Sequence, residues 1–146
     1  MQSDSNDASK NHLTTLLSFD IDGTMQMGDP PGPVTGAIVR RARELGFLIG
    51  SCSDRPVAVQ ERLWSTLGLV MDFVVIKHQL PDVMARFEAK AYYHIGDREL
   101  DQQLAGQAGF GFFWPDEAAG EPWANDGFGG PGSMSGYGIG PAPGGF

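Results

Sequence analysis

Cysteine is almost absent from this chain. Among 146 residues there is one, Cys52, so no intrachain disulfide can form and a zinc–thiolate cluster is argued against. Basic residues are scarce too. Ten Lys and Arg stand against 18 Asp and Glu, a net charge of −8, which argues against generic nucleic-acid binding because phosphate neutralisation needs a basic surface. The one basic concentration, Arg40, Arg41 and Arg43, falls on an expected helix and reads as a solvated face. No stretch reaches the roughly 18 apolar residues of a membrane span. Met1 to Asn11 lacks the apolar centre of a signal peptide. The expectation is a soluble, cytoplasmic protein with no membrane partner.

Large apolar residues also thin out at both ends. Residues 1–12 are polar and without period, and are expected to be a disordered tail. Residues 13–116 look like one globular domain of ordinary size. Residues 117–146 are rich in Gly and Pro and are expected to be a flexible tail, with Trp123, Phe128, Tyr137 and Phe146 as anchors for a partner or for self-association.

Within the domain, apolar strand patterns alternate with helical ones. Strands are expected at Leu13–Asp20, Phe47–Cys52, Phe73–Ile76, Tyr92–Ile95 and Phe110–Phe113. Helices are expected from Thr35 to Leu45, from Pro56 to Leu67 with Val59, Leu63 and Leu67 on one face, from Pro81 to Phe87, and from Leu100 to Ala108. Thr24 to Pro33 carries three prolines and is expected to be a loop or flap outside regular pairing. This alternation predicts an α/β fold: a doubly wound, Rossmann-like, parallel five-stranded sheet with helices on both faces.

In such a fold the carboxyl ends of the strands share one edge, where ligands bind. Asp20, Asp22, Ser53, Lys77 and Asp97 each follow an apolar strand. Asp20 and Asp22 are two apart, so both can address one volume. Carboxylates gathered at one edge repel unless a cation neutralises them, and all-oxygen ligation suits Mg²⁺. Lys77 and Ser53 would offer a charge and a hydroxyl to an anionic oxygen opposite, which together describe a phosphoryl site. Ser51 and Lys90 compete for these two roles, but Lys90 precedes its strand and falls on the other edge. Cys52 reads as a buried, inert thiol, His94 as a packed core residue and Trp64 as packing. Arg55 and Arg98 border the site, either to meet an anionic substrate or in ion pairs.

The motifs themselves resemble those of a known family. Asp20-Ile21-Asp22-Gly23-Thr24 matches the DxDGT motif of the haloacid dehalogenase superfamily, and Gly96-Asp97-Arg98-Glu99-Leu100-Asp101 resembles its GDxxxD acidic motif. Ser53-Asp54-Arg55-Pro56 is similar to the (S/T)GRP segment, with Asp54 where glycine is common. Lys77, about twenty residues before Gly96, fits the third motif, with His78 in place of the usual proline. The resemblance implies a Mg²⁺-dependent phosphatase that works through an aspartyl-phosphate. Asp20 would be the nucleophile and Asp22 the acid and base. Ser53 and Lys77 would hold the phosphate. Asp20, Asp97 and a backbone carbonyl near Asp22 would bind Mg²⁺, with Asp101 and Thr24 in support. The second aspartate argues against a dehalogenase.

Only about thirty residues separate Asp22 from Ser53, and about two dozen separate Ser53 from Lys77. Neither gap holds a cap domain. An open site would admit a phosphorylated small molecule or a macromolecular phosphoester, and a neighbour in a homo-oligomer could cover it. Two rival readings stand beside this one. The first is a scaffold of the same fold that binds a partner through its Gly/Pro-rich tail. The second is a nucleic-acid end phosphatase, weakened by the acidic charge.

Overall fold

A computed structural model describes residues 13–125; the expected N-terminal tail and residues 126–146 lie outside the described residues. Five strands, β1 (Thr15–Phe19), β2 (Leu48–Ser53), β3 (Phe73–Ile76), β4 (Ala91–Ile95) and β5 (Gly111–Phe113), form one sheet in the order β3-β2-β1-β4-β5. Every pairing is parallel. All five residues of β1 are buried, as a central strand covered on both faces requires.

The helices are α1 (Gly36–Glu44), α2 (Val57–Thr66), α3 (Leu80–Arg86), α4 (Glu99–Ala108) and α5 (Pro115–Ala119). They divide between the two faces according to the alternation of β1. Leu17 and Phe19 share a core with Val39 and Ala42 of α1, Trp64 of α2 and Ala118 of α5. Leu16 belongs to the opposite core, with Leu80 and Val83 of α3 and Ala105 of α4. No cap domain is present among the described residues.

Local signals account for most boundaries. Thr35 caps α1, its Oγ1 accepting from the Ile38 amide at 3.2 Å. Gly109 closes α4 in the left-handed conformation, φ 86°. On α2 the buried face is not centred on Val59, Leu63 and Leu67. Gln60 and Trp64, four apart, are its fully buried members, while Val59, Leu63 and Leu67 flank them half-buried.

Two expectations need correction. The domain does not end at residue 116. It continues through α5 and a 3-10 turn, Pro122–Ala124, because Trp123 is fully buried and stacks in a tilted contact on Phe47, centroids 6.2 Å apart. One large aromatic outweighs a local excess of small residues when a cavity accepts it. The arginines of α1 are not simply solvated. Arg40 donates to the Leu67 carbonyl at 2.6 Å, Arg41 to the Asn125 carbonyl at 3.0 Å and Arg43 to the Val70 carbonyl. They tie α1 to the segment after α2 and to the end of the described chain. The Thr24–Pro33 segment is a loop outside every named strand and helix, as expected. A parallel bridge joins Met25 to Val34, both fully buried.

Candidate functional site

Sheet order decides where the strand ends meet. The chain runs from β1 outward through β2 to β3, then crosses to the other side of β1 for β4. The crevice between β1 and β4 is therefore the point where the winding reverses, the usual ligand position in open α/β sheets. Asp20 follows β1 and Asp97 follows β4. The Asp20 amide extends the ladder to the Ile95 carbonyl at 2.9 Å, which anchors the start of one loop against the other strand.

Asp20 is buried, 3% exposed. Its Oδ1 accepts from the Ile21 amide at 2.7 Å, and its Oδ2 lies 3.2 Å from Lys77 Nζ. Lys77 opens the 3-10 turn Lys77–Gln79 that follows β3. Its ammonium also lies 3.0 Å from Asp101 Oδ1 and 3.6 Å from the exposed Asp54. Asp20, Asp97 and Asp101 each bring a carboxylate oxygen within 4.8 Å of the others. One ammonium cannot neutralise that many carboxylates. Burial and the nearby Asp101 carboxylate raise Asp20 to about 7, although Lys77 and the Ile21 amide pull the other way. Burial disfavours the Lys77 charge, but Asp20 and Asp101 outweigh it and hold the ammonium above its ordinary range.

The glycines of the two acidic motifs have specific reasons to be glycine. Gly23 has φ 77°, and a Cβ there would lie 1.8 Å from Asp97 Oδ2. At Gly96 a Cβ would meet Asp101 Cγ at 2.4 Å. Removing both side chains lets the loops after β1 and β4 close on each other and presses the carboxylates together. Asp97 Oδ1 is buried with no hydrogen-bond partner among the described residues. A buried carboxylate oxygen without a donor is costly, and a cation is the group that would satisfy it. The acidic triad thus suits a metal ion.

Ser53 ends β2, is 1% exposed, and accepts from the Arg55 amide at 3.1 Å. Ser51, its competitor in the sequence, is engaged elsewhere. Its Oγ donates to Gln60 Oε1 at 2.6 Å and accepts from the Trp64 indole at 2.7 Å. Lys90 precedes β4 and its amide bonds to the Thr14 carbonyl, on the amino edge of the sheet. Asp20, Asp22, Ser53, Asp54, Lys77 and Arg98 border one cleft of about 30 Å³. A larger cavity of about 270 Å³ lies along α1, away from all of these groups. No family model matches the chain, and no curated protein does. The resemblance to haloacid dehalogenase motifs therefore rests on the sequence alone.

Asp22 borders the cleft, but its carboxylate stands apart from the acidic triad. Arg55 grips it with two hydrogen bonds of 2.9 Å, and the Asp29 amide of the loop adds one of 2.8 Å. Those Arg55 contacts, above all, hold the Asp22 carboxyl below the usual range. Of the two roles open to Arg55, the ion pair is the one observed. Thr24 is fully buried and its Oγ1 has no hydrogen-bond partner among the described residues, so nothing links it to Asp20. Asp101 is fully buried and bound to Lys77. Burial pushes the Cys52 thiol up to about 12, with Asp20 and Asp101 adding to it, which fits an inert thiol.

Two contributors escape a reading of motifs. Gln60 is fully buried, and its Nε2 donates to the carbonyls of Arg55 at 2.7 Å and Val75 at 3.0 Å, with a longer contact to Ser53 at 3.4 Å. It holds the Ser53–Arg55 turn against β3. Its place four residues before Trp64 was the available signal, because an amide on a buried helix face must find partners. The other is His94, expected to be mere packing. Its ring bonds to Ser18 and Asp101.

Proposed function

We propose that this chain is a capless phosphatase of the haloacid dehalogenase type, hydrolysing a phosphomonoester through an aspartyl-phosphate on Asp20. One observation carries the reading. Asp20, Lys77, Ser53 and an acidic group with an unsatisfied buried oxygen on Asp97 converge at the crevice between β1 and β4.

Asp20 and Asp97, with the main-chain carbonyl of Asp22, would hold Mg²⁺, which when bound offsets the carboxylate repulsion and the charge of the phosphoryl oxygens. Lys77 and Ser53 bind the phosphoryl group. A carboxylate oxygen of Asp20 attacks phosphorus, and the bond from phosphorus to the ester oxygen breaks. Asp22 supplies the proton that oxygen needs. The carboxylate of Asp22 then takes a proton from a water that attacks the aspartyl-phosphate, which releases inorganic phosphate and restores Asp20. The grip of Arg55 favours ionised Asp22, the form required for the second step. For the first step Asp22 must leave Arg55 and take up a proton.

No cap is present among the described residues, which leaves the cleft open to the phosphate ester of a small molecule or of a macromolecule. No helix among the described residues is long and apolar enough to cross a membrane. The test is hydrolysis of p-nitrophenyl phosphate and a panel of phosphate esters with Mg²⁺, comparing wild type with Asp20→Asn. Mg²⁺-dependent turnover abolished in the variant is expected. Equal background rates in both proteins across the panel would sink the proposal.

A further inference from the structure

We infer that His94 is a positioning residue for Lys77, acting through Asp101. The inference rests on the phosphatase reading for its meaning and on an independent buried chain of contacts for its evidence. Ser18 in β1 and His94 in β4 are register partners on adjacent parallel strands, so their side chains leave the same face of the sheet. Ser18 Oγ lies 2.9 Å from His94 Nδ1, and His94 Nε2 lies 3.0 Å from Asp101 Oδ1. That same oxygen lies 3.0 Å from Lys77 Nζ, which reaches Asp20 Oδ2 at 3.2 Å. Ser18, His94 and Asp101 are fully buried, and Lys77 is 4% exposed.

An ionised carboxylate only accepts, so Nε2 carries a proton toward Asp101. Ser18 beside Nδ1 holds the ring in that orientation. Asp101 is thereby fixed at three points: His94 and Lys77 on Oδ1, and the Arg98 amide on Oδ2 at 3.2 Å. His94 and Lys77 share one oxygen. With His94 present, Oδ1 is satisfied by two donors and Lys77 remains free to divide its charge between Asp101 and Asp20. Without His94, that oxygen has Lys77 alone, and the ammonium is drawn back toward Asp101 and away from the phosphate position. The contact Lys77 makes with phosphate is present in the bound and reacting states alike, so its weakening raises KM more than it lowers kcat.

The variants separate this role from packing. His94→Gln can keep a donor where Nε2 sits, while His94→Asn is too short and His94→Leu has none. KM for p-nitrophenyl phosphate and the affinity for inorganic phosphate, measured by calorimetry with Mg²⁺, should weaken about tenfold in His94→Leu and His94→Asn. In His94→Gln both should stay within about threefold of wild type, a margin below 1 kcal/mol. A lower kcat with unchanged KM in His94→Leu, or a Gln variant as impaired as the Leu variant, overturns the inference. Where His94→Leu does not fold, Ser18→Ala decides: a weaker phosphate affinity supports the role, and an unchanged one overturns it. If the wild type hydrolyses no ester, the phosphatase reading fails and the calorimetric comparison alone judges His94. A wild type that binds no phosphate overturns both.

Discussion

Lys77→Met removes the ammonium that bridges Asp20 and Asp101 and should be the costliest single change in the site. The side chain is 5% exposed and touches Asp20 at 3.2 Å and Asp101 at 3.0 Å. At an effective dielectric constant near 20, each such contact is worth about 5 kcal/mol before desolvation is counted. Removing one partner of a buried pair leaves the other uncompensated and costs about 3–5 kcal/mol, a large share of the roughly 5–15 kcal/mol that holds a domain together. The loss should depend on pH. Asp20 already sits at about 7 in the folded protein, against about 3.9 in an unfolded chain. Between those values the folded state holds a proton that the unfolded state does not, so stability falls as pH rises through that window. In Lys77→Met the lowering influence of the ammonium disappears, Asp20 rises further, and the fall continues to higher pH. Urea denaturation in EDTA at pH 5 and pH 8 should therefore show a gap between wild type and variant that is widest at pH 8. Adding Asp101→Asn should restore part of the loss at pH 8, because one carboxylate of the repelling pair is gone. A gap independent of pH, with no restoration in the double variant, would refute the electrostatic account.

Arg55→Gln frees Asp22, whose carboxyl then rises toward its ordinary range, so the acid limb of the pH–rate profile should move to higher pH. Both partners are about one-third exposed, so chemical denaturation should register less than about 1 kcal/mol. Asp97→Asn should abolish the rise in melting temperature on adding Mg²⁺, a rise worth about 2.7 kcal/mol in wild type when Mg²⁺ is at a hundredfold its Kd. Gln60→Leu leaves the carbonyls of Arg55 and Val75 without their donor; steady-state kinetics should give a kcat/KM about tenfold lower, the equivalent of ~1.4 kcal/mol. Trp123→Ala should cost about 3–5 kcal/mol in urea denaturation while leaving KM unchanged, since the indole is buried in the core and borders no part of the cleft.

How much of this was legible beforehand follows from the range of the interactions. Strand and helix patterns, the Thr35 cap and the carboxyl-end positions of Asp20, Ser53, Lys77 and Asp97 depend on periodicities and turn chemistry within a few residues. These the amino-acid order determined by itself, and with them the parallel α/β class and the short spacings that leave no room for a cap. What lay beyond reach was set by partners distant in the chain. Trp123 looks like part of a Gly/Pro-rich tail until Phe47 stands beside it. Asp22 looks like a free acid until Arg55, thirty-three residues on, takes both its oxygens. His94 reads as packing, since nothing local reveals that Ser18, seventy-six positions away, is its neighbour. Only the sheet order β3-β2-β1-β4-β5 joined those positions, bringing the two acidic loops together across β1 and β4. A side chain's type states what it can bond to; its tertiary neighbours decide what it does bond to, because burial leaves each polar group only the partners that the fold supplies.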